Sequence, residues 1–275
     1  MFSRALTLKT AFSGIALLFL LLPTSTSCFA TNSARVISIP AFDYHTYSPY
    51  NTNSQKAGLS YDWVRYLNKY LTHIKLELVH VDRPTLDTLL KANTPGLILW
   101  SNPRWFGAFP ALLASEPIFM DSDILVSVPE RPVKQFEPGR TYRLCAIKGY
   151  VYPTLEPFLE RKILKRVDDQ STKKCLSSVQ SGRADLALLN RSTWLYMNEH
   201  QKTPKWVVYP ESIDAFARHL LVSSHYQALL PELNAAIEAV NNDPEWRALL
   251  LVYGSKNFLD LFELTLDSLL ELPVR

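Results

Sequence analysis

Net charge is almost absent from this sequence. Its 29 Lys and Arg residues exceed its 26 Asp and Glu residues by only three. Arg4 and Lys9 are the only charged residues among the first thirty, so the rest of the chain carries a formal charge of +1. Nucleic-acid binding depends on clustered basic side chains that release counterions from phosphates. A nearly neutral chain without a Lys or Arg run is therefore not expected to bind nucleic acid.

Catalytic and metal-binding motifs are missing as well. The sequence contains no G-x-S-x-G, no H-E-x-x-H and no Walker loop, and its six His residues do not have the spacing of metal ligands. The sequence therefore predicts no metal ion and no cofactor. It favours a binding protein over an enzyme.

Long apolar runs are confined to the N-terminus. Arg4 and Lys9 precede an apolar run at 11–22 that is too short to span a bilayer, and a stretch of small and polar residues follows as far as Ala30. This layout is typical of a secretory signal peptide at 1–30, so we expect cleavage after Ala30 and a periplasmic protein. An uncleaved membrane anchor and a lipoprotein attached at Cys28 are the alternatives.

The rest of the chain alternates short β-rich runs with helical periodicity, and this alternation occurs twice. The first unit has predicted strands at 35–39, 75–81 and 96–100, with helices that begin after Ser60, a predicted cap, and at Asp82. The second unit has strands at 142–148, 165–168 and 183–189, with helices at 153–162 and 171–180. Shorter strands at 206–209 and 219–223 and helices at 230–240, 245–253 and 258–272 follow.

Two βαβαβ units favour an α/β fold with two lobes, each built on a mainly parallel sheet. A Pro-rich, charged passage at 128–140 separates the units and is interpreted as a crossing between lobes. We expect lobe 1 to comprise 31–137 and 214–275, and lobe 2 to comprise 138–213. A hinge and a cleft would lie between them.

If each lobe has the strand order 2-1-3, the helix between its second and third strands must cross its first strand. In lobe 2 that helix carries Cys175 and the first strand carries Cys145. In an oxidising compartment these residues can form a disulfide, provided that their Cα atoms lie within roughly 7 Å. Two buried free thiols are the alternative.

Hydrogen-bonding groups and large rings follow the carboxyl ends of the predicted strands. Ligands of open α/β sheets bind outside these ends, where the strand order reverses. WSNPRWF at 100–106 lies at such an end in lobe 1, and KGYVY at 148–152 and NRS at 190–192 lie at the matching ends in lobe 2. The candidate ligand-binding residues are Tyr44, Tyr50, Trp100, Ser101, Asn102, Arg104, Trp105, Gly149, Tyr150, Tyr152, Asn190 and Arg218.

Each candidate also has a structural interpretation. Aromatic rings beside strands often cap the core, and Arg104 can form an ion pair at the surface. The joint occurrence of these residue types at equivalent strand ends favours binding. We therefore expect a small molecule to bind in the cleft between the lobes.

Residues from about 34 to 254 resemble the extracellular solute-binding proteins of family 3, the periplasmic receptors of amino-acid ABC importers. The matching blocks are SPYN at 48–51, GLSYDWVRYL, SEPIF at 115–119, GYVYPTLEPF, SGRADLALLN, DAFARHLLVS and LLPELNAAIEAVNNDPEW. NPRWF at 102–106 is similar to the Asn-Pro-x-Trp-Phe motif of a divergent branch. The resemblance implies a monomeric, hinge-closing receptor that serves a membrane transporter. Its lobes are expected to close on a small polar or anionic solute, either amino-acid-like or an aromatic acid.

Two positions depart from the amino-acid-binding members of that family. Those members clamp the ligand carboxylate with an Arg in a Thr-rich segment, for which Arg104 is the nearest match. They pair the ligand ammonium with an acid after the third strand of lobe 2, where this chain has the neutral Asn190. A buried ammonium would lose its charge partner there. The sequence therefore does not predict a standard α-amino acid as the ligand.

Two other functions stay open. Some relatives on this fold are cyclohexadienyl dehydratases, and such an enzyme would need a general acid in the cleft, for which Glu156 is the candidate. A sensor that passes its closed conformation to a membrane partner other than an importer is the other alternative.

Overall fold

The computed structural model describes residues 36–45, 47–52, 57–109, 111–200, 206–210, 213–265 and 267–268. The expected signal peptide, with Arg4, Lys9, Cys28 and Ala30, lies outside the described residues. Within them, no helix has both the length and the apolar character that crossing a bilayer requires.

Strands and helices alternate in the order that the sequence pattern predicts, with additional strands between and after the two units. In chain order the elements are β1 (Ile37–Asp43), α1 (Leu59–Tyr70), β2 (Ile74–His80), α2 (Arg83–Lys91), β3 (Leu97–Ser101), β4 (Leu112–Ala114), β5 (Phe119–Ser127), β6 (Tyr142–Ile147), α3 (Glu156–Glu160), β7 (Leu164–Asp169), α4 (Thr172–Gln180), β8 (Leu186–Asn190), α5 (Arg191–His200), β9 (Val207–Val208), β10 (Asp214–Ser223), α6 (Leu230–Asn241) and α7 (Pro244–Asp260). Short 3-10 helices lie at Pro103–Phe106, Pro153–Leu155 and Ser224–Leu229.

The strands are arranged in the order β2-β1-β3-β10-β5-β8-β6-β7, with β4 beside β10 and β9 beside β5. β1 is parallel to β2 and β3, and β6 is parallel to β7 and β8. The order 2-1-3 predicted for each unit is therefore confirmed, and the α/β fold with two βαβαβ lobes is correct.

Two antiparallel strands join the lobes. β10 pairs with β3 through Leu221 and Val222, and with β5 along Asp214–Arg218. β5 in turn pairs with β8 from Asp123 onward. β10 therefore pairs with both halves of the sheet, and β5 connects it to the lobe 2 strands; the two are called the hinge strands below. The lobe boundaries at 31–137, 138–213 and 214–275 stay a prediction.

Several predictions of element boundaries were wrong. β5 was not predicted, because the polar residues Asp121, Ser122 and Asp123 interrupt its apolar pattern. β10 begins at Asp214, five residues before the predicted start. The predicted helix at 153–162 is a 3-10 turn followed by the short α3. The predicted helix at 258–272 is instead the end of α7 at Asp260, followed by a turn, and residues 269–272 lie outside the described part.

Local chemistry explains where two helices begin. The Asp82 carboxylate accepts a 2.8 Å hydrogen bond from the backbone N–H of Thr85, so it caps α2 as predicted. Ser60 was expected to cap α1 but does not, because the helix begins two residues earlier, with Gly58 at the cap position. Gly58 has φ +110°, and a Cβ there would lie 2.5 Å from the carbonyl oxygen of Tyr50. Glycine is therefore required at this position.

The disulfide prediction is confirmed in lobe 2. Cys145 on β6 and Cys175 on α4 form a disulfide, with their Cα atoms 5.2 Å apart. Both side chains belong to the buried apolar cluster on one face of the lobe 2 sheet, where Val179 and Ala187 also pack. The bond therefore joins the crossing helix to the strand beneath it.

Candidate ligand-binding site

A cavity lies between the two lobes, beside the linking strands. Its wall combines rings with groups that can carry charge, and the polar members that matter most are His45, Tyr47, Arg83, Asp123, Asn190 and Arg218. Both lobes contribute residues to this wall.

Side chains from the two lobes form hydrogen bonds directly across this cavity. Tyr47, which follows β1, donates from its hydroxyl to Oδ1 of Asn190 at the end of β8, over 2.6 Å. Tyr150, which follows β6, donates to the backbone carbonyl of Tyr44 over 3.0 Å. The lobes are therefore in contact through residues at the carboxyl ends of their strands.

Arg218 on β10 is a buried cation of the wall, with 1% of its surface exposed. Its Nε donates to Asp121 Oδ2 over 2.8 Å, and its Nη1 donates to the carbonyl of Trp100 over 2.7 Å. Nη1 also lies 3.2 Å from His45 Nε2. Its Nη2 has no hydrogen-bond partner in the described part of the chain. One donor of a fixed guanidinium is thus left unpaired in the wall of a cavity.

The Arg218 contact fixes the tautomer of His45. A guanidinium can only donate hydrogen bonds, so Nε2 of His45 must be the acceptor and Nδ1 must carry the proton. Nδ1 lies 3.0 Å from Oδ1 of Asp43, to which it donates. Burial lowers the pKa of His45, although the bond to Asp43 partly opposes this effect. His45 is therefore a neutral link between Asp43 and Arg218.

Asp121 is the counterion of Arg218, and it is fully hydrogen-bonded. Its Oδ1 accepts from the backbone N–H groups of Ser122, at 2.9 Å, and Ser192, at 3.0 Å. Its Oδ2 accepts from the Ser192 hydroxyl over 2.7 Å in addition to Arg218. Because Ser192 lies in the first turn of α5 in lobe 2, this carboxylate connects the hinge strands with that lobe.

Asp123 is a second buried carboxylate in the wall, with 4% of its surface exposed. Its Oδ1 accepts a 2.7 Å hydrogen bond from Nδ2 of Asn190. Burial, together with the nearby carboxylates Asp214 and Asp121, raises the pKa of Asp123 to about 8. The protonated form of this group is therefore favoured at neutral pH.

Half of the residues predicted from the sequence line the cavity, and half do not. The six that line it are Tyr44, Trp105, Tyr150, Tyr152, Asn190 and Arg218. The six that lie outside its lining are Tyr50, Trp100, Ser101, Asn102, Arg104 and Gly149.

Trp100 packs in the core of lobe 1. Its ring centroid lies 5.4 Å from that of Trp63 and 5.7 Å from that of Phe119, and its Nε1 donates to Ser60 Oγ over 2.8 Å. Its φ is +54°, an uncommon value for a residue with a side chain. Trp100 lies on β3 opposite the point where the register of β10 shifts. Its backbone carbonyl accepts the hydrogen bond from Arg218 there.

Ser101, Asn102 and Arg104, which were also predicted to bind the ligand, mainly form contacts that stabilise the 100–106 segment. Asn102 donates from Nδ2 to the carbonyl of Ala217 over 2.9 Å and accepts from the backbone N–H of Arg104 over 3.0 Å. The Arg104 side chain is 46% exposed and forms a 3.2 Å ion pair with Asp214. Ser101 is buried and donates to the carbonyl of Leu99 over 3.0 Å.

Sequence reasoning missed several polar residues of the wall. His45 and Tyr47 directly follow β1, so the rule about carboxyl ends of strands could have found them. Arg83 is the first residue of α2, and nothing in the surrounding sequence indicated that it lines the cavity. Asp123 lies inside a strand that the pattern did not reveal. Glu156, the general acid proposed for a dehydratase, is exposed and lies outside the cavity lining.

A search for metal sites gives no candidate within the described ranges. No group of three His, Cys, Asp or Glu side chains there is placed to hold a metal ion.

No family model and no curated protein matches the chain, but solved structures share its fold. One is the substrate-binding protein of an ABC uptake transporter from Streptococcus pneumoniae with bound histidine, at 16% identity and a TM-score of 0.65, covering 78% of this chain and 92% of that one. Another is an ancestral amino-acid-binding protein, a precursor of cyclohexadienyl dehydratase, at 15% identity and a TM-score of 0.64, covering 79% and 96%.

A third is the periplasmic domain of BvgS from B. pertussis, at 20% identity and a TM-score of 0.61, covering 82% of this chain and 44% of that one. At these identities the likeness shows the fold, which is the fold of periplasmic binding proteins. Most of the named neighbours are binding proteins and not enzymes.

Proposed function

We propose that this chain is a periplasmic solute-binding protein whose two lobes close on a small polar or anionic solute. The observation that carries the proposal is the unpaired Nη2 of Arg218, a buried donor in the wall of the cavity between the lobes. A buried charged donor without an acceptor costs free energy, and an oxygen of a bound solute would recover it. A carboxylate, or another group with acceptor oxygens, fits this position.

Lobe closure supplies the mechanism. The contacts of Tyr47 with Asn190 and of Tyr150 with Tyr44 join the lobes around the cavity. A solute that touches both walls binds this arrangement better than an open one, so its binding shifts the population toward closure. β5 and β10 are the strands about which such a movement would occur.

We further propose that the protein is secreted by cleavage after Ala30 and delivers its solute to an ABC importer. The shared fold of ABC-transporter binding proteins supports this role. A receptor for another membrane protein is the second candidate, because the fold also occurs as less than half of a larger chain. N-terminal sequencing of the periplasmic protein tests the cleavage, and a lipid-sized mass increase would indicate attachment at Cys28 instead.

Native mass spectrometry of protein purified gently from the periplasm tests the binding function. We expect wild-type protein and Arg143→Lys to retain a small molecule, since Arg143 forms a partly exposed pair with Asp185 away from the cavity lining. Arg218→Lys should lose it, because an ammonium cannot reproduce three separate guanidinium contacts. Circular dichroism confirms that each variant is folded. Equal retention by a folded Arg218→Lys protein would contradict the proposal.

A further inference from the structure

The loop after β6 contributes both aromatic rings and an inter-lobe hydrogen bond to the cavity. Tyr150 and Tyr152 line the cavity from lobe 2. The Tyr150 hydroxyl donates to the backbone carbonyl of Tyr44 in lobe 1, and the rings of these two residues pack edge to face with their centroids 5.5 Å apart. The conformation of this loop therefore decides whether Tyr150 can join lobe 2 to lobe 1.

The loop begins with a tight turn at 147–150. The backbone N–H of Tyr150 donates to the carbonyl of Ile147 over 3.2 Å, and Gly149 between them has φ +83°. A positive φ at the third position of a turn favours glycine. Gly149, which was predicted to bind the ligand, therefore shapes the turn that presents Tyr150. The hydrogen bond that closes the turn is at the long end of the normal range, so it restrains the turn only weakly.

Arg166 on the neighbouring strand β7 contacts both ends of this turn. Its Nη2 donates to the backbone carbonyls of Ile147 and Tyr150, each over 3.0 Å. Its Nε donates to Oδ1 of Asp168, and its guanidinium carbon lies 5.3 Å from the centroid of the Tyr152 ring. A cation at this distance from an aromatic ring is attracted to it. One side chain thus restrains the turn and the ring that follows it.

We propose that Arg166 is a positioning residue of the cavity, which holds the turn at 147–150 so that Tyr150 bridges the lobes. Arg166 lies outside the cavity lining, and its side chain is 26% exposed, so it acts through the loop and not on a solute. A guanidinium suits this role because its planar fork presents separate donors in fixed directions. The consequence for solute affinity rests on the proposed function.

Pulsed electron paramagnetic resonance between two spin labels measures the separation of the lobes and requires no solute. One label is attached at Thr85→Cys in the first turn of α2, and the other at Lys173→Cys in the first turn of α4, because both positions are exposed. Cys145 and Cys175 form a disulfide and do not react with the labels. Cys28 is replaced by Ser in all proteins.

Removal of the guanidinium should open the lobes. We expect Arg166→Gln to add a population with a longer distance between the labels and to lower the ratio of closed to open lobes about fivefold, the effect of losing one neutral hydrogen bond. Arg166→Lys should give a smaller shift, because an ammonium keeps the charge but cannot place separate nitrogens on the carbonyls and on Asp168. If Arg166→Gln does not fold, Arg166→Lys carries the test.

Arg161→Gln is the matched control. Arg161 belongs to the same lobe, donates from Nε to the backbone carbonyl of Pro157 over 3.0 Å, and has its guanidinium carbon 5.5 Å from the centroid of the Phe158 ring. It thus makes the same kinds of contact as Arg166 but does not touch the turn at 147–150. Arg161→Gln should leave the label distances unchanged.

A double-mutant cycle tests whether Arg166 acts through Tyr150. Tyr150→Phe removes the hydroxyl that bridges the lobes, so by itself it should lower the closed-to-open ratio by a similar factor. Adding Arg166→Gln to Tyr150→Phe should change the ratio by less than about twofold, because the contact that Arg166 positions is already absent. A general contribution of Arg166 to stability would instead make the two effects multiply.

Three results would overturn the positioning role. They are unchanged label distances in the folded Arg166 variants, an equal shift in Arg161→Gln, and effects that multiply in the double variant. Circular dichroism confirms that each protein is folded.

Native mass spectrometry of the same proteins separates this role from the function on which its consequence rests. We expect Arg166→Gln to retain less of the small molecule than wild type and Arg161→Gln do. If Arg166→Gln opens the lobes but wild type retains no small molecule, the positioning role stands and the binding function falls. If wild type and Arg166→Gln retain a small molecule equally and their label distances agree, the binding function stands and the positioning role falls.

Discussion

Nε of Arg218 lies 2.8 Å from Oδ2 of Asp121, and both side chains are almost completely buried. The pair joins the two hinge strands, because Arg218 belongs to β10 and Asp121 to β5. It also fixes the guanidinium whose Nη2 faces no described partner. The same ion pair therefore serves the stability of the hinge and the arrangement of the binding cavity.

Removal of the carboxylate should destabilise the fold strongly. Asp121→Ala leaves the Arg218 charge buried without a counterion, and such a loss costs about 3–5 kcal/mol of unfolding free energy. Urea unfolding followed by circular dichroism measures the change. Asp260→Asn is the control, because its pair with Lys256 lies at the surface and should contribute nothing measurable. Similar unfolding free energies for the two variants would show that the buried pair is not needed.

The two tryptophans of the 100–106 segment should have different roles. Trp100 is fully buried, so Trp100→Ala should lower the unfolding free energy by about 3–5 kcal/mol. Trp105 lines the cavity, with its ring 5.4 Å from the Arg218 guanidinium, so Trp105→Ala should chiefly weaken solute retention. Urea unfolding and native mass spectrometry measure the two effects. If Trp100→Ala instead chiefly weakened solute retention and Trp105→Ala chiefly lowered the unfolding free energy, Trp100 would belong to the binding site.

The sequence predicted the frame of the fold because apolar periodicity survives wherever an element packs on one side. It did not predict β5, where Asp121 and Asp123 are buried at positions that usually hold apolar residues. These acids are tolerated because Arg218, Ser192 and Asn190 hydrogen-bond to them, and these partners come from distant parts of the chain. A pattern of neighbouring residues cannot predict hydrogen bonds to such distant partners.

The same reasoning explains why only half of the predicted ligand-binding residues line the cavity. The rule about carboxyl ends of strands placed Trp105, Tyr150 and Asn190 near one cavity, because backbone direction alone decides at which end of a sheet they lie. It could not decide whether a side chain there turns toward the cavity or the core. Trp100 turns toward the core, and its backbone has a positive φ. A Trp residue in the sequence does not indicate such a backbone conformation, so the direction of this side chain could not be predicted.

Arg104 tests the assignment that the sequence favoured. Its side chain is half exposed and paired with Asp214, outside the cavity lining, so Arg104→Ala should change solute affinity less than about threefold. If Arg104 instead clamps a solute carboxylate, the substitution should cost roughly 1–3 kcal/mol of binding free energy. Native mass spectrometry, which compares solute retention by wild type and Arg104→Ala after the same gentle purification, separates these results.

The disulfide should contribute substantially to stability. Cys145 and Cys175 are 30 residues apart, and closing a loop of that length should stabilise the fold by roughly 3–4 kcal/mol through the entropy of the unfolded chain. The double variant with Ala at both positions should unfold at correspondingly lower urea concentration. A reducing agent should shift the wild-type transition and leave the double variant unchanged. If the urea unfolding transition of the wild type did not shift after complete reduction, the prediction would be contradicted.

The pH dependence of stability should reveal Asp123 without any ligand. Its pKa is raised to about 8 in the folded protein, chiefly by burial, against about 3.9 in the unfolded chain. Between these values the folded state binds a proton that the unfolded state has released. The stability from this group is therefore fully present below pH 4 and is lost as pH rises through 8, by at most about 1.4 kcal/mol per pH unit. Urea unfolding of wild type and Asp123→Asn at pH 5, 6, 7 and 8 isolates this contribution, because other groups titrate alike in both proteins. A constant difference between the two would mean that Asp123 is ionised throughout, and an ionised carboxylate would already have a cation beside it.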